Sequence, residues 1–150
     1  MREILFRGKR VDNGEWEYGD LLHKHYNFNT KADIVIHNNV MKYKVIPETV
    51  GQFTGLTDRN GKKIFDGDLL NGFQYPFLNA NAHNYFAEVV WFENSPAFGL
   101  YTHKHPLSAV RGISEGNCYY MDDFDSSQWE VIGNIHDNPE LLKGGVENDR

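Results

Sequence analysis

The sequence predicts an all-β, mostly antiparallel fold: a small curled sheet or SH3-like barrel with additional hairpins and a short C-terminal helical turn. Two observations carry this. Apolar residues alternate with period two around Asn-Gly and Asn-Asn turn signals, and a helix over 32–45 would scatter the apolar residues there around its circumference. At 150 residues with 40% hydrophobic and 14% aromatic residues, the chain has material for one packed domain spanning 1–150 and is not a disordered polymer.

Residues 2–23 read as a hairpin about Asn13-Gly14, the strongest short turn signal. A two-residue loop there places Val11 opposite Trp16, Arg10 opposite Glu17 and Arg7 opposite Asp20. Both charged pairs carry opposite signs, which favours the register. Residues 32–45 read the same way about Asn38-Asn39. Ile36 then faces Met41, Ile34 faces Tyr43 and Ala32 faces Val45 on an apolar side. Asp33 and Lys44 meet on a mostly polar side.

In "VGQFTGLTDRNGKKIFDGDLL" (50–70), Asp58–Gly61 turns the chain between two short strands. "IFDGDLL" reads as a strand bending at Gly67, where glycine permits a positive φ. Residues 71–84 are Asn-rich and loop-like. "YFAEVVWF" (85–92) is apolar on both faces except at Glu88, a strand covered on both sides. "NSPA" turns it into "FGLYT". Residues 103–127 show no clear period and are expected to be a long irregular excursion with a single helical turn. "QWEVIGNI" is a last strand with Trp129, Val131 and Ile135 on one face. Asn138 then caps a helix start at Pro139, and 143–150 is a polar tail. The expected core holds Trp16, Ile34, Ile36, Tyr43, Trp91, Trp129, Val131 and Ile135.

Charge is uneven. Residues 1–75 hold eleven Lys and Arg against ten Asp and Glu, while 76–150 hold four against eleven, for −6 in all. An acidic balance disfavours generic nucleic-acid binding and suits a complementary self-contact or a basic partner. No apolar run is long enough to cross a bilayer, and "MREILFRGKR" has no apolar signal core. Cys118 is the only cysteine, so no internal disulfide or multi-cysteine zinc site is available, and a reducing cytoplasm is favoured.

Several groups could carry chemistry. "HKH" occurs at His23–His25 and His103–His105, and on a strand each pair would project from one face toward one metal. No cysteine or well-placed carboxylate accompanies them, so exposed or hydrogen-bonded histidines are the favoured reading, with no metal or other cofactor expected. Asp66 and Asp68 could form a carboxylate pair, but turn formation is the simpler role of Asp-Gly. Asp122, Asp123 and Asp125 lack the glycine and terminal glutamate of a calcium loop. "GLTDRNGKK" has one residue too many for a phosphate loop. Cys118 lacks any local nucleophile signature. "FRGKR" (6–10) with Trp16 and Tyr18 could clamp and stack a nucleic-acid strand, although its arginines have cross-strand partners in the expected register. No residue is assigned a catalytic role.

Three ordered motifs, "ILFRGKRVDNGEWEYGDLL", "VIPETVGQFTGLTDRNGKKIFDGDLL" and "WEVIGNIHDNPELL", resemble the YopX family of phage and prophage proteins. They cover about residues 2–22, 45–70 and 129–142; 23–44 and 71–128 match poorly. The resemblance implies an all-β fold built on a small barrel and a phage or prophage origin. It supplies no activity and no functional residue. Two classes of function follow: a non-enzymatic module that binds a host or phage protein or assembles with itself, and a small metal-dependent enzyme using the histidine pairs. A weak nucleic-acid-binding accessory role comes third.

Overall fold

The computed structural model describes residues 1–28, 31–72, 85–103, 118–121 and 125–143. Among the described residues eleven strands run in chain order: β1 Phe6–Lys9, β2 Trp16–Lys24, β3 Asp33–His37, β4 Lys42–Lys44, β5 Gly51–Thr57, β6 Lys63–Phe65, β7 Asp68–Gly72, β8 Tyr85–Phe92, β9 Ala97–His103, β10 Cys118–Tyr120 and β11 Trp129–Asn134. They form two sheets, in the orders β4-β3-β2-β1-β5-β6 and β10-β9-β8-β7-β11. The fold is all-β and antiparallel. By compactness the chain divides into Met1–Gly55 and Leu56–Arg150.

In the first unit both expected hairpins form, each two residues out of the expected register. β1 pairs β2 with Arg7 opposite Tyr18 and Lys9 opposite Trp16. The loop is Val11–Gly14, closed by Arg10 N–H donating to Glu15 C=O at 2.8 Å and Gly14 N–H to Arg10 C=O at 3.0 Å. Only Gly14 takes a positive φ, at 74°. A two-residue I′ or II′ turn would need positive φ at Asn13; Asn13 does not take it, and the loop is four residues long. In β3–β4, Ile36 faces Tyr43 and Val35 faces Lys44. Asn38 N–H donates to Met41 C=O, which centres the loop on Asn39-Val40, with Asn39 at φ 73°.

A shift of two leaves every side chain on its expected face, because strand side chains alternate with period two. The expected Arg10–Glu17 and Asp33–Lys44 ion pairs therefore survive as diagonals, at 3.6 and 3.0 Å. Arg7 does not meet Asp20 across the pair; Tyr18 stands opposite it. Beyond β4 the chain crosses to the end of β1: Arg10 bridges Val45, and Ile46 N–H donates to Lys9 C=O at 2.8 Å. β1 and β4 themselves form no ladder, so the sheet is curled and not a closed barrel. Ile36 and Val45 are buried on the inner side, and a Cβ on Gly8 would lie 3.0 Å from Val45.

In the second unit, register builds the core. Leu70 faces Ala87, Val89 faces Leu100, and Leu100 faces Tyr119. Ile64, Leu70, Ala87, Val89, Leu100, Met121 and Trp129 form one buried cluster. β8–β9 turns at 93–96, one residue before the expected 94–97, because Ala97 already pairs with Phe92. "IFDGDLL" is two strands: Asp66-Gly67 is a turn between β6 and β7, Gly67 has φ 88°, and Phe65 N–H donates to Asp68 Oδ2 at 2.8 Å. The stretch expected to be an irregular excursion with a single helical turn contributes β10, which pairs with β9, and a short 3₁₀ turn at Ser126–Gln128. The loop expected at 71–84 begins later, because Asn71 and Gly72 pair with β8 and β11 as the end of β7; 73–84, most of the excursion (104–117 and 122–124) and the tail from 144 lie outside the described residues.

β11 carries a bulge between Val131 and Gly133. The extra residue reverses the alternation, so Ile135 leaves the face of Trp129 and Val131, contrary to expectation. Its N–H donates to Gly67 C=O at 2.9 Å. The expected helix start is a short 3₁₀ turn, Pro139–Lys143. Asn138 Oδ1 does not cap it; it accepts from Asn134 N–H at 3.2 Å. Of the expected core, Ile36 and Trp129 are buried, Trp16, Ile34, Tyr43, Val131 and Ile135 are half-buried, and Trp91 is 45% exposed.

The outer edge of β11 is occupied by the 58–62 turn. Asp58 Oδ1 accepts from Asn60 N–H at 2.8 Å and Lys62 N–H at 2.9 Å, while Oδ2 accepts from Val131 N–H at 3.0 Å. Arg59 N–H donates to Trp129 C=O at 2.9 Å. One carboxylate thus shapes a turn and stands in for a missing strand partner.

Candidate functional site

The histidine pairs divide between the two units. His23, on β2 opposite Ile34, and His25, just beyond the strand, are both exposed. His103 ends β9 opposite Phe86. His105 lies outside the described residues. Among the described residues no three His, Cys, Asp or Glu side chains are grouped to hold a metal. His103 instead has a partner that sequence reasoning passed over: its Nε2 lies 3.1 Å from Glu88 Oε1, both side chains being largely buried. Tyr101 packs edge-on against the imidazole at 4.9 Å between centroids. The signal was available. A four-residue loop at 93–96 places Glu88 opposite Tyr101, and His103 is then its diagonal neighbour.

The other singled-out residues have structural partners or exposed positions. Asp68 is fully buried and closes the Asp66-Gly67 turn. Asp125 accepts from Ser127 Oγ and N–H, and these bonds hold its carboxyl below the usual range. Asp122 and Asp123 are outside the described residues. Cys118 is exposed on β10.

Two arrangements remain at the surface. The first is aromatic and sits at the β8–β9 tip. Trp91 meets Phe98 edge-on at 4.9 Å, and Phe92 meets Tyr120 edge-on at 5.5 Å. Tyr120 OH is 2.8 Å from Ser95 Oγ. Gly99 makes this possible, since a Cβ there would fall 2.1 Å from the Phe92 ring. Trp91 and Tyr120 are 45% and 42% exposed.

The second lies on the first unit. Arg7 sits over the Trp16 ring at 4.7 Å and Lys9 at 5.6 Å. On the opposite face, Arg10 covers Tyr43 at 4.1 Å and collects carboxylates: Asp12 through two hydrogen bonds, Glu17 at 3.6 Å and Glu15 at 4.0 Å. Hydrogen bonding to Arg10 holds the Asp12 carboxyl below its ordinary range, and Asp12 raises the guanidinium in return.

These features define an all-β protein of two open antiparallel sheets, with tight turns held by carboxylates and aromatics at its surface. The family described as YopX protein matches residues 5–143, nearly the whole chain. The chain belongs to the YopX family. No curated protein matches it. Among solved structures it is similar to the crystal structure of protein EF1440 from Enterococcus faecalis, at 20% identity and a TM-score of 0.49, covering 95% of this chain and 99% of that one. Among the described residues no helix is long and apolar enough to cross a membrane.

Proposed function

We propose that the protein is a phage- or prophage-encoded accessory protein of the bacterial cytoplasm, working as a non-enzymatic binding or self-assembling β module. The observation that carries this reading is the β8–β9 tip, where Trp91 on β8 and Tyr120 on the neighbouring β10 are exposed on opposite faces of a sheet anchored in the second unit's core. Exposed Trp and Tyr held by packed neighbours are the usual anchors of protein interfaces. The second unit holds seven Lys and Arg against fourteen Asp and Glu. Its net charge of −7 favours a basic or neutral partner surface, including the first unit, at +1, of another copy.

The experiment is light scattering in moderate salt with wild type and Trp91→Ala. Self-assembly predicts a mass above the monomer that falls on substitution. A strict monomer at high micromolar concentration would refute self-assembly. A wild-type oligomer unchanged by Trp91→Ala would refute the tip as its contact.

A further inference from the structure

The outer face of the first unit differs in charge from the chain as a whole. Directly paired strand residues share a face. The pairs Arg7–Tyr18 and Lys9–Trp16 therefore lie on one side of the β1–β2 ladder. The alternation of β2 continues that side through Asp20, Leu22 and Lys24 to their partners on β3. Val35 and His37 pass it on to Lys44 and Lys42 on β4. This side holds five cations against two anions, Asp20 and Asp33; Lys9, Lys24, Lys42 and Lys44 reach solvent, whereas Arg7 is buried against Trp16. The hairpin's other acids, Asp12, Glu15 and Glu17, are drawn to Arg10, and Arg10 shares the opposite face with Val45. The unit's near-neutral total thus conceals a sorting by face.

The cationic side also carries aromatics. Tyr18 is 45% exposed at its centre. Trp16, two residues away on the same strand, is held by Arg7 and Lys9. Leu22 is partly exposed, and with Lys44 it flanks the buried Val35 in register. Lys9 lies one strand to one side of the aromatics. Lys42 and Lys44 lie two strands to the other, about 10 Å away. Stacking surface flanked by ammonium groups is the arrangement that takes an unpaired nucleic-acid strand, with bases on the rings and phosphates on the lysines. A duplex hides its bases and could use only the charges.

We infer that the Tyr18 face of the β1–β4 sheet binds single-stranded nucleic acid through stacking on Tyr18 and Trp16 and phosphate contacts from Lys9, Lys24 and Lys42. This goes beyond the hairpin-tip reading and uses residues of the other unit.

The test is fluorescence anisotropy of the full chain with a labelled oligothymidine of about 15 nucleotides, a length within the range single-strand sites cover. Three phosphate contacts to a single strand predict affinity falling roughly 20-fold between about 50 and 200 mM salt. Tyr18→Ala should weaken binding about tenfold at an unchanged salt slope. Lys42→Ala, on an exposed position of β4, should lower the slope magnitude by about 0.7. Circular dichroism checks that both variants keep the wild-type fold. A duplex of the same length should bind more weakly. Absence of binding at high micromolar protein in the lower salt overturns the inference, and so does binding that neither substitution changes, or equal affinity for the duplex. A chain that self-associates but takes up no oligonucleotide overturns this inference alone and leaves the self-assembly reading standing.

Discussion

Replacing Asp58 with alanine is predicted to be among the most destabilising single changes outside the apolar core. The residue is only 5% exposed, and its carboxylate accepts three backbone N–H groups, from Asn60, Lys62 and Val131. A hydrogen bond to a charged group is worth about 1.5–3 kcal/mol, so three would cost roughly 5–9 kcal/mol if nothing replaced them. Asn60 and Lys62 are exposed, and water can take their N–H groups. Val131 N–H lies on the strand edge that Asp58 covers, which concentrates the loss there and brings the expectation to about 2–4 kcal/mol. At the usual sensitivity for a chain of this size, the melting temperature should fall by about 4–16 °C.

Asp58→Asn should cost less, because the amide oxygen can still serve one side of the site while its NH₂ cannot accept. Burial opposes the ionised form, yet the hydrogen bonds from Val131, Lys62 and Asn60 outweigh it and hold the carboxyl below its ordinary value. A depressed folded-state pKa gives stability that is full above the unfolded value near ~3.9 and is lost as pH falls through the folded value. The gap between wild type and Asp58→Asn should therefore be widest near neutral pH and narrow below about pH 4. Thermal unfolding followed by circular dichroism across pH reads both effects. A melting temperature for Asp58→Ala within about 1 °C of wild type at pH 7, far less than ~2 kcal/mol would produce, would refute the assignment of edge protection to this carboxylate.

Trp129→Ala should cost about 3–5 kcal/mol in chemical denaturation, as expected for removing a fully buried large aromatic. Gly72→Ala should cost about 1–3 kcal/mol through overpacking, because a Cβ there lies 2.8 Å from the Trp129 ring, whose burial leaves it little room to move. The two losses should fail to add in the double variant, since alanine at 129 removes the clash. Lys44→Ala should leave the melting temperature unchanged at physiological salt, because its partner Asp33 is reached from a solvent-exposed lysine. A clear drop would show that the diagonal pair holds the β3–β4 hairpin.

Much of the first unit was legible because hairpins are local. Alternation about Asn13-Gly14 and Asn38-Asn39 marked the strands and sorted their faces, and a register error of two leaves that sorting intact. The Arg10–Glu17 and Asp33–Lys44 pairs could be named for the same reason. Turn length itself was not legible. It depends on which backbone bonds close, such as Gly14 to Arg10, and on how many residues take a positive φ.

Long-range pairing decided the rest. The apolar character of "YFAEVVWF" said that both faces need cover, but not that Phe86 would be fully buried while Trp91 remains exposed at the hairpin end. The bulge at Ile132, which turns Ile135 away from Trp129, exists only against β7. His103 gained Glu88 as a partner through β8–β9 register, whereas its neighbour in sequence suggested a second histidine. Asp58 and Val131 are 73 residues apart, and no local rule joins them. Net charge summed along the chain could not reveal that the lysines and the hairpin acids lie on opposite sides of one curled sheet. Sequence determined which residues alternate and where the chain can turn, because those preferences belong to neighbouring residues. Tertiary structure decided which alternating face meets water, because burial depends on what the rest of the chain brings against it.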